Sequence, residues 1–131
     1  MAITYDQRRP EIDDIIAIYQ SSGIKRPIQD AGRIRKMYRH ANLVITAWDG
    51  EKPVGIARAL TDFSYCCYLS DLAVCAEYQH QGIGKRLIGE VKQAVGEQSM
   101  LLLLSAPAAM DYYPKIGMET VSNGFIIKRT E

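Results

Sequence analysis

Leu69-Ser70-Asp71-Leu72-Ala73-Val74 and, three residues later, Tyr78-Gln79-His80-Gln81-Gly82-Ile83-Gly84-Lys85-Arg86-Leu87-Ile88 decide how this chain folds. The first piece is apolar and of strand length. From Ile83 the apolar residues Ile83, Leu87, Ile88, Val91 and Val95 recur at helical spacing. A strand therefore feeds a helix through a turn holding two glycines one residue apart. Such a turn leaves main-chain N–H groups uncovered, and the helix start adds donors without intrahelical partners and a partial positive charge. The junction is a seat for a phosphate or pyrophosphate.

Upstream, residues 3–7 suit a short strand. Pro10-Glu11 opens a helix in which Ile12, Ile15, Ile16 and Tyr19 share one face, with Asp13 and Asp14 near its positive end. Ser21-Ser22-Gly23 ends it, and a second helix is expected over 29–40 with Ile34, Met37 and Tyr38 as its apolar side. A strand over 42–48, the Asp49-Gly50 turn, a strand over 53–60 and a third over 64–74 lead back to the junction. Gly96 is placed to end the helix over 83–95.

Downstream, residues 100–104 are apolar throughout, which predicts a strand covered on both faces. Ser105-Ala106-Pro107 caps a short helix reaching about Tyr112, broken at Gly117. Asn123-Gly124 is a tight-turn dipeptide before a last strand over 125–128. The order β-α-α-β-β-β-α-β-α-β implies an α/β (α+β) fold, a mixed central sheet with helices on both faces, in a single domain over 1–131.

Composition narrows the function. The chain has 131 residues, 16 Lys+Arg against 15 Asp+Glu, and a net charge of +1, and no basic run exceeds two residues. Nucleic acid and membrane surfaces are therefore not expected partners. No apolar run approaches the roughly 20 residues of a membrane span, and the stretch from Met1 to Gln7 has no signal-peptide core, so a cytoplasmic location is expected. Cys66, Cys67 and Cys75 lack metal-ligand spacing; they read as buried, reduced thiols, and no metal is expected.

The glycine turn fails two phosphate-loop patterns. A Walker loop needs an earlier glycine and Ser or Thr after Lys85, where Arg86 stands. A dinucleotide loop needs glycine where Leu87 stands. On local chemistry alone a relaxed turn without a ligand stays open.

With its surroundings the segment resembles the signature of the GNAT (GCN-related N-acetyltransferase) superfamily. Asp71-Leu72-Ala73-Val74 followed by Gln79-His80-Gln81-Gly82-Ile83-Gly84 looks like its Gln/Arg-x-x-Gly-x-Gly/Ala loop after a strand. Ala109 to Met118, containing Tyr112-Tyr113-Pro114-Lys115-Ile116-Gly117, is similar to its later aromatic-Tyr-x-x-x-Gly-Phe segment, and the element order fits essentially the whole chain.

The resemblance implies that acetyl-CoA is the cosubstrate, its pyrophosphate bound by the amides of Gln79, His80, Gln81, Gly82, Ile83 and Gly84. Lys85 and Arg86 either add charge there or form a solvated helix face. Pantetheine would lie between the strand over 64–74 and the splayed strand over 100–104, bonded to the backbone of Leu72, Ala73 and Val74. Family members often carry an Asn after the next strand; here Ser105 stands in that region and is the candidate substitute.

Tyr113 corresponds to the family's general acid, a phenol that holds its proton at neutral pH and can give it to the departing sulfur. Pro114 disfavours helical geometry at Tyr113. The base is open. Tyr68 falls where some relatives carry a Glu, Asp71 lies three residues later and, by strict alternation, on the opposite face, and a water relay is equally allowed. The connection over 21–29 and the residues 65–68 are expected to wall an open amine pocket. The implied activity is N-acetylation of a small amine or exposed amino group by direct attack in a ternary complex, with a homodimer in keeping with the fold. The competing reading is a GNAT-fold module that binds acyl-CoA without turnover.

Overall fold

The computed structural model describes residues 2–130, so Met1 and Glu131, the ends of the expected 1–131 domain, lie outside the described residues. Five strands, β1 (Ile3–Asp6), β2 (Leu43–Asp49), β3 (Lys52–Thr61), β4 (Cys66–Val74) and β5 (Met100–Leu102), form one sheet in the order β1-β2-β3-β4-β5. The first four are antiparallel neighbours, and β5 runs parallel to β4. Helices α1 (Ile12–Ser22) and α2 (Ala31–His40) cover one face, α3 (Ile83–Val95) covers the other, and α4 (Tyr112–Lys115) lies near the end of the chain. The expected mixed sheet with helices on both faces is present.

Local chemistry explains most boundaries. Asp30 caps α2 by accepting from the Arg33 N–H at 3.0 Å. Gly23 closes α1 in the left-handed region at φ 79°. On the second face Ile83, Leu87, Val91 and Val95 are buried against Leu43, Ile45, Ala57 and Leu69. Gly55 permits that fit: a Cβ there would lie 3.3 Å from both Ile83 Cγ2 and Leu87 Cδ1. The helix thus sits close on the sheet at the end where its N-terminus meets the glycine turn.

Two bulges re-aim the strands. Val54 is an extra residue on β3 beside the Ala47–Trp48 step, and Ser70 an extra residue on β4, where Asp71 pairs with Arg58 and Leu69 with Ala59. The second bulge corrects the expectation from alternation. Cys67 and Leu69 point into the α3 face, as does Leu72, whereas Asp71 and Ala73 point to the α1/α2 side. Tyr68, between Cys67 and Leu69, therefore shares its side with Asp71.

Three further expectations are corrected. Residues 125–128 form no strand; from Glu119 to Thr130 no main-chain hydrogen bond is made among the described residues, and Phe125 and Ile127 are fully exposed. β propensity gives no strand without a neighbouring ladder. The strand over 100–104 is shorter, ending at Leu102, and is not covered on both faces, since Met100 is 54% and Leu104 64% exposed. Tyr113 is helical despite Pro114, because that proline stands in the first turn of α4, where an N–H has no intrahelical acceptor to lose. Among the thiols, Cys67 and Cys75 are buried and Cys66 exposed, all free.

Candidate functional site

The glycine turn begins at a 3₁₀ turn, Ala76–Tyr78, and is tied down by side chains rather than by its own amides. Gln79 Nε2 donates to the Val74 carbonyl at 2.9 Å, anchoring the loop to the end of β4. The Tyr78 hydroxyl donates to Asp49 Oδ2 at 2.6 Å, a bond that holds its proton and lifts its pKa to about 12. His80 and Gly82 both adopt left-handed backbone, at φ 64° and 84°. Gly82 occupies the position before α3 and supplies no side-chain cap. Among the described residues, no hydrogen bond uses the N–H groups of His80, Gln81, Gly82, Ile83, Gly84 or Lys85. Six consecutive donors are thus left without a hydrogen-bond partner among the described residues at the positive end of a 13-residue helix.

The β4–β5 ladder supplies the second element. Only Cys66, Cys67 and Tyr68 pair with β5, to Met100, Leu101 and Leu102. Beyond them the strands part, and from Leu69 to Val74 β4 has no strand beside it on that side while its other edge stays paired to β3; of its carbonyls, Val74's accepts from Gln79 Nε2 and Ser70's from Arg26. This wedge of unpaired main chain runs toward the glycine turn. Leu72 and Val74 are half-buried with side chains in the α3 core, and Ala73 is buried on the other side, so only their main chain is offered to the wedge. Ser105 follows the parting strand, its hydroxyl donating to the Ala106 carbonyl at 2.7 Å.

Helix α4 brings the tyrosines to the same corner. The Tyr112 hydroxyl lies 3.4 Å from where a Cβ on Gly84 would stand, so α4 docks against the start of α3. Tyr113 packs edge-on against Tyr112, ring centroids 5.2 Å apart, and is half-buried. Burial, and secondarily Tyr112, raises its phenol pKa above the ordinary value. Lys85 is exposed at the helix start, whereas Arg86 is engaged with Glu90 at 2.9 Å and stacks over Tyr5. Of the two cations only Lys85 is left for the loop.

Under the bulge lies a buried polar network that the sequence did not reveal. Asp71 is fully buried. Its Oδ1 accepts from Arg26 Nε and its Oδ2 from Arg58 Nε, both at 2.5 Å, and Oδ2 also accepts from the Tyr19 hydroxyl at 2.6 Å. Tyr38 completes the chain through Tyr19 at 2.5 Å. Burial alone would raise the Asp71 pKa, but the bond and charge of Arg58, with Tyr19 and Arg26, bring it below the usual carboxylate range. Arg26 also donates to the Ser70 carbonyl at 2.7 Å, pinning the α1–α2 connection to β4 at the bulge. Tyr68, 37% exposed, is on this side of the sheet, and Tyr65 is 78% exposed. A tyrosine on the apolar stripe of α1, whose hydroxyl must find a buried partner, was the one hint available from sequence.

Among the described residues no group of three His, Cys, Asp or Glu could hold a metal, and no helix is long and apolar enough to cross a membrane.

Comparisons with known proteins agree with this geometry. The model of the acetyltransferase (GNAT) domain matches residues 18–128. The chain is similar to GCN5-related N-acetyltransferase 2, chloroplastic, of Arabidopsis thaliana, 31% identical over an alignment of 83 residues, with coverage of 58% of this chain and 32% of that protein. The chain thus spans about a third of that curated relative's length. Among solved structures it is similar to a GNAT-family acetyltransferase from Streptococcus pneumoniae, with TM-score 0.73, 24% identity and coverage of 99% and 98% of the two chains. It also resembles AAC(6')-Iy in complex with the bisubstrate analog CoA-S-monomethyl-acetylneamine, with TM-score 0.73, 12% identity and coverage of 98% and 99%. The parted β4–β5 ladder, the uncapped start of α3 and the family match over 18–128 together mean that the chain belongs to the GNAT acetyltransferase family.

Proposed function

We propose that this chain moves an acetyl group from acetyl-CoA to an amine by direct attack in a ternary complex. The observation that carries the reading is the row of unpartnered amides from His80 to Lys85, opening onto the unpaired edge of β4. The pyrophosphate sits on those amides with Lys85 alongside, each bond charge-assisted. Pantetheine lies in the wedge against the main chain of Leu72, Ala73 and Val74, with Ser105 flanking its far side. A solved relative with a CoA-containing bisubstrate analog supports this choice of donor.

The amine nitrogen attacks the thioester carbonyl carbon. The C–N bond forms, the C–S bond breaks, and the Tyr113 hydroxyl gives its proton to the departing thiolate. A free main-chain N–H of the wedge meets the transient oxyanion. Asp71 holds two guanidinium groups in place and is not the base, since both its oxygens are occupied. The amine proton leaves to water beside Tyr68. Arg26, Ser70 and Tyr68 border the acceptor side, which suits a small amine or an exposed amino group. We read the chain as one domain working in the cytoplasm as a homodimer, without metal, nucleic acid or membrane.

A thiol-release assay with acetyl-CoA across a panel of amines and amino-terminal peptides tests this reading. CoA binding with no release above hydrolysis on any acceptor would overturn turnover and leave a binding module. The loop itself is tested by Gly82→Asp. Asp tolerates left-handed backbone better than most residues, so the fold is expected to survive, while its carboxylate repels the phosphates. Calorimetry should then show CoA binding abolished; unchanged affinity sinks the loop assignment.

A further inference from the structure

We infer, resting on the acetyl transfer proposed above, that the acceptor is an amino acid with a free carboxylate, and that this carboxylate docks on the outer edge of the Arg58 guanidinium with Arg26 beside it. Arg58 is only 8% exposed, yet its guanidinium bonds are all made from one edge: Nε donates to Asp71 Oδ2 and Nη2 to Ser70 Oγ at 3.0 Å. Nη1 has no hydrogen-bond partner among the described residues. Since none of their buried side-chain polar atoms is left unpartnered, Nη1 lies at the surface. The end-on pair, Nη1 with the second N–H of Nη2, is the fork that takes a carboxylate in two parallel bonds.

The charge balance points the same way. Two guanidinium groups face one carboxylate, Asp71, the only acid paired with either among the described residues, so the cluster holds one positive charge in surplus. Tyr19 and Tyr38 do not offset it, because burial raises both phenols above their ordinary pKa and keeps them neutral. A partly buried cation without a counter-charge is costly, and an anionic ligand relieves it. The rim repeats the sign. Between Ile24 and Ala41 stand six Lys or Arg against Asp30 alone, and Arg35, Lys36 and Arg39 of α2 are exposed, a field that draws in anions.

Placement favours a short ligand. Ser70 takes bonds from both arginines, through its hydroxyl and its carbonyl. It stands two residues before Leu72 in the wedge, about 7 Å along a strand. A hydrogen bond to a carboxylate, an amino-acid skeleton and a near-attack distance of about 3 Å fill that span. The first residue of a peptide has its carboxyl tied up as an amide and offers the fork no charge.

The test compares free L-amino acids with their α-amides, as acceptors in the thiol-release assay and as ligands titrated calorimetrically into the CoA-saturated protein. The amine of an amide loses its proton more readily, so reactivity alone favours the amide. The expected result is the reverse: kcat/KM for the best amino acid at least about 10-fold above that of its amide, mainly through KM, the scale of losing charge-assisted hydrogen bonds. Arg58→Lys keeps a cation against Asp71 but removes the fork, so it should lose most of that preference while circular dichroism stays unchanged. The ligand comparison stands without any variant. Amides or peptides used as well as amino acids overturn the inference and leave acetyl transfer standing. So does a folded Arg58→Lys with an undiminished preference. No release with any acceptor overturns the proposed reaction instead, and calorimetry then decides the site: an amino acid bound at least about 10-fold tighter than its amide upholds it, and equal or absent binding overturns it.

Discussion

In the proposed reaction, Tyr113 is the residue on which turnover rests. Its phenol must be protonated to serve the leaving thiolate, and burial raises its pKa, so the protonated form persists to higher pH than in a free phenol. The alkaline fall in kcat should therefore lie above pH of about 10, the ordinary phenol value. Tyr113→Phe should lower kcat by about 10- to 100-fold with little change in acetyl-CoA affinity, and should abolish that alkaline limb. Steady-state kinetics across pH checks both, and a variant with unchanged kcat would leave Tyr113 a packing residue. Its place in the later motif was legible because a motif is local. That Tyr112 contacts the start of α3 was not, since it depends on how α4 docks.

Between elements, Asp71 joins four segments: Tyr19 on α1, Arg26 in the following connection, Arg58 on β3 and its own β4. Replacing it with Asn leaves two guanidinium groups facing a neutral amide, and urea unfolding should show a loss of about 3–5 kcal/mol. Its folded pKa is depressed, so its contribution is fully present above the unfolded value of about 3.9 and is lost as pH falls through the folded value. Wild-type stability should thus decline below pH of about 4 more steeply than that of Asp71→Asn. If the two curves run parallel, the carboxylate is not what holds these segments. Helix periodicity made α1 and α3 legible almost to the residue. The bulge at Ser70 was not, because an inserted residue changes facing without changing composition, and it turns Asp71 from a strand residue opposite Tyr68 into the buried centre beside it.

At the scale of the molecule, the proposed homodimer would couple stability to concentration. A chain that binds a second copy only when folded is stabilised by mass action, so its Tm should rise with protein concentration. Calorimetric scans at several concentrations check this, and a constant Tm in the full chain would count against the homodimer.

The sequence by itself determined the three longer helices, the strand-to-helix glycine turn and the family, because periodicity, glycine placement and motif spacing are properties of neighbouring residues; the helix expected to reach about Tyr112 is instead a 3₁₀ turn at Pro107–Ala109 followed by α4. Only the tertiary structure decided where β4 and β5 part, which amides remain unpartnered, that Arg86 is engaged elsewhere and that residues 125–128 have no strand beside them. Those outcomes depend on pairing between distant segments, and a strand, unlike a helix, takes its hydrogen bonds from residues far along the chain or from another chain.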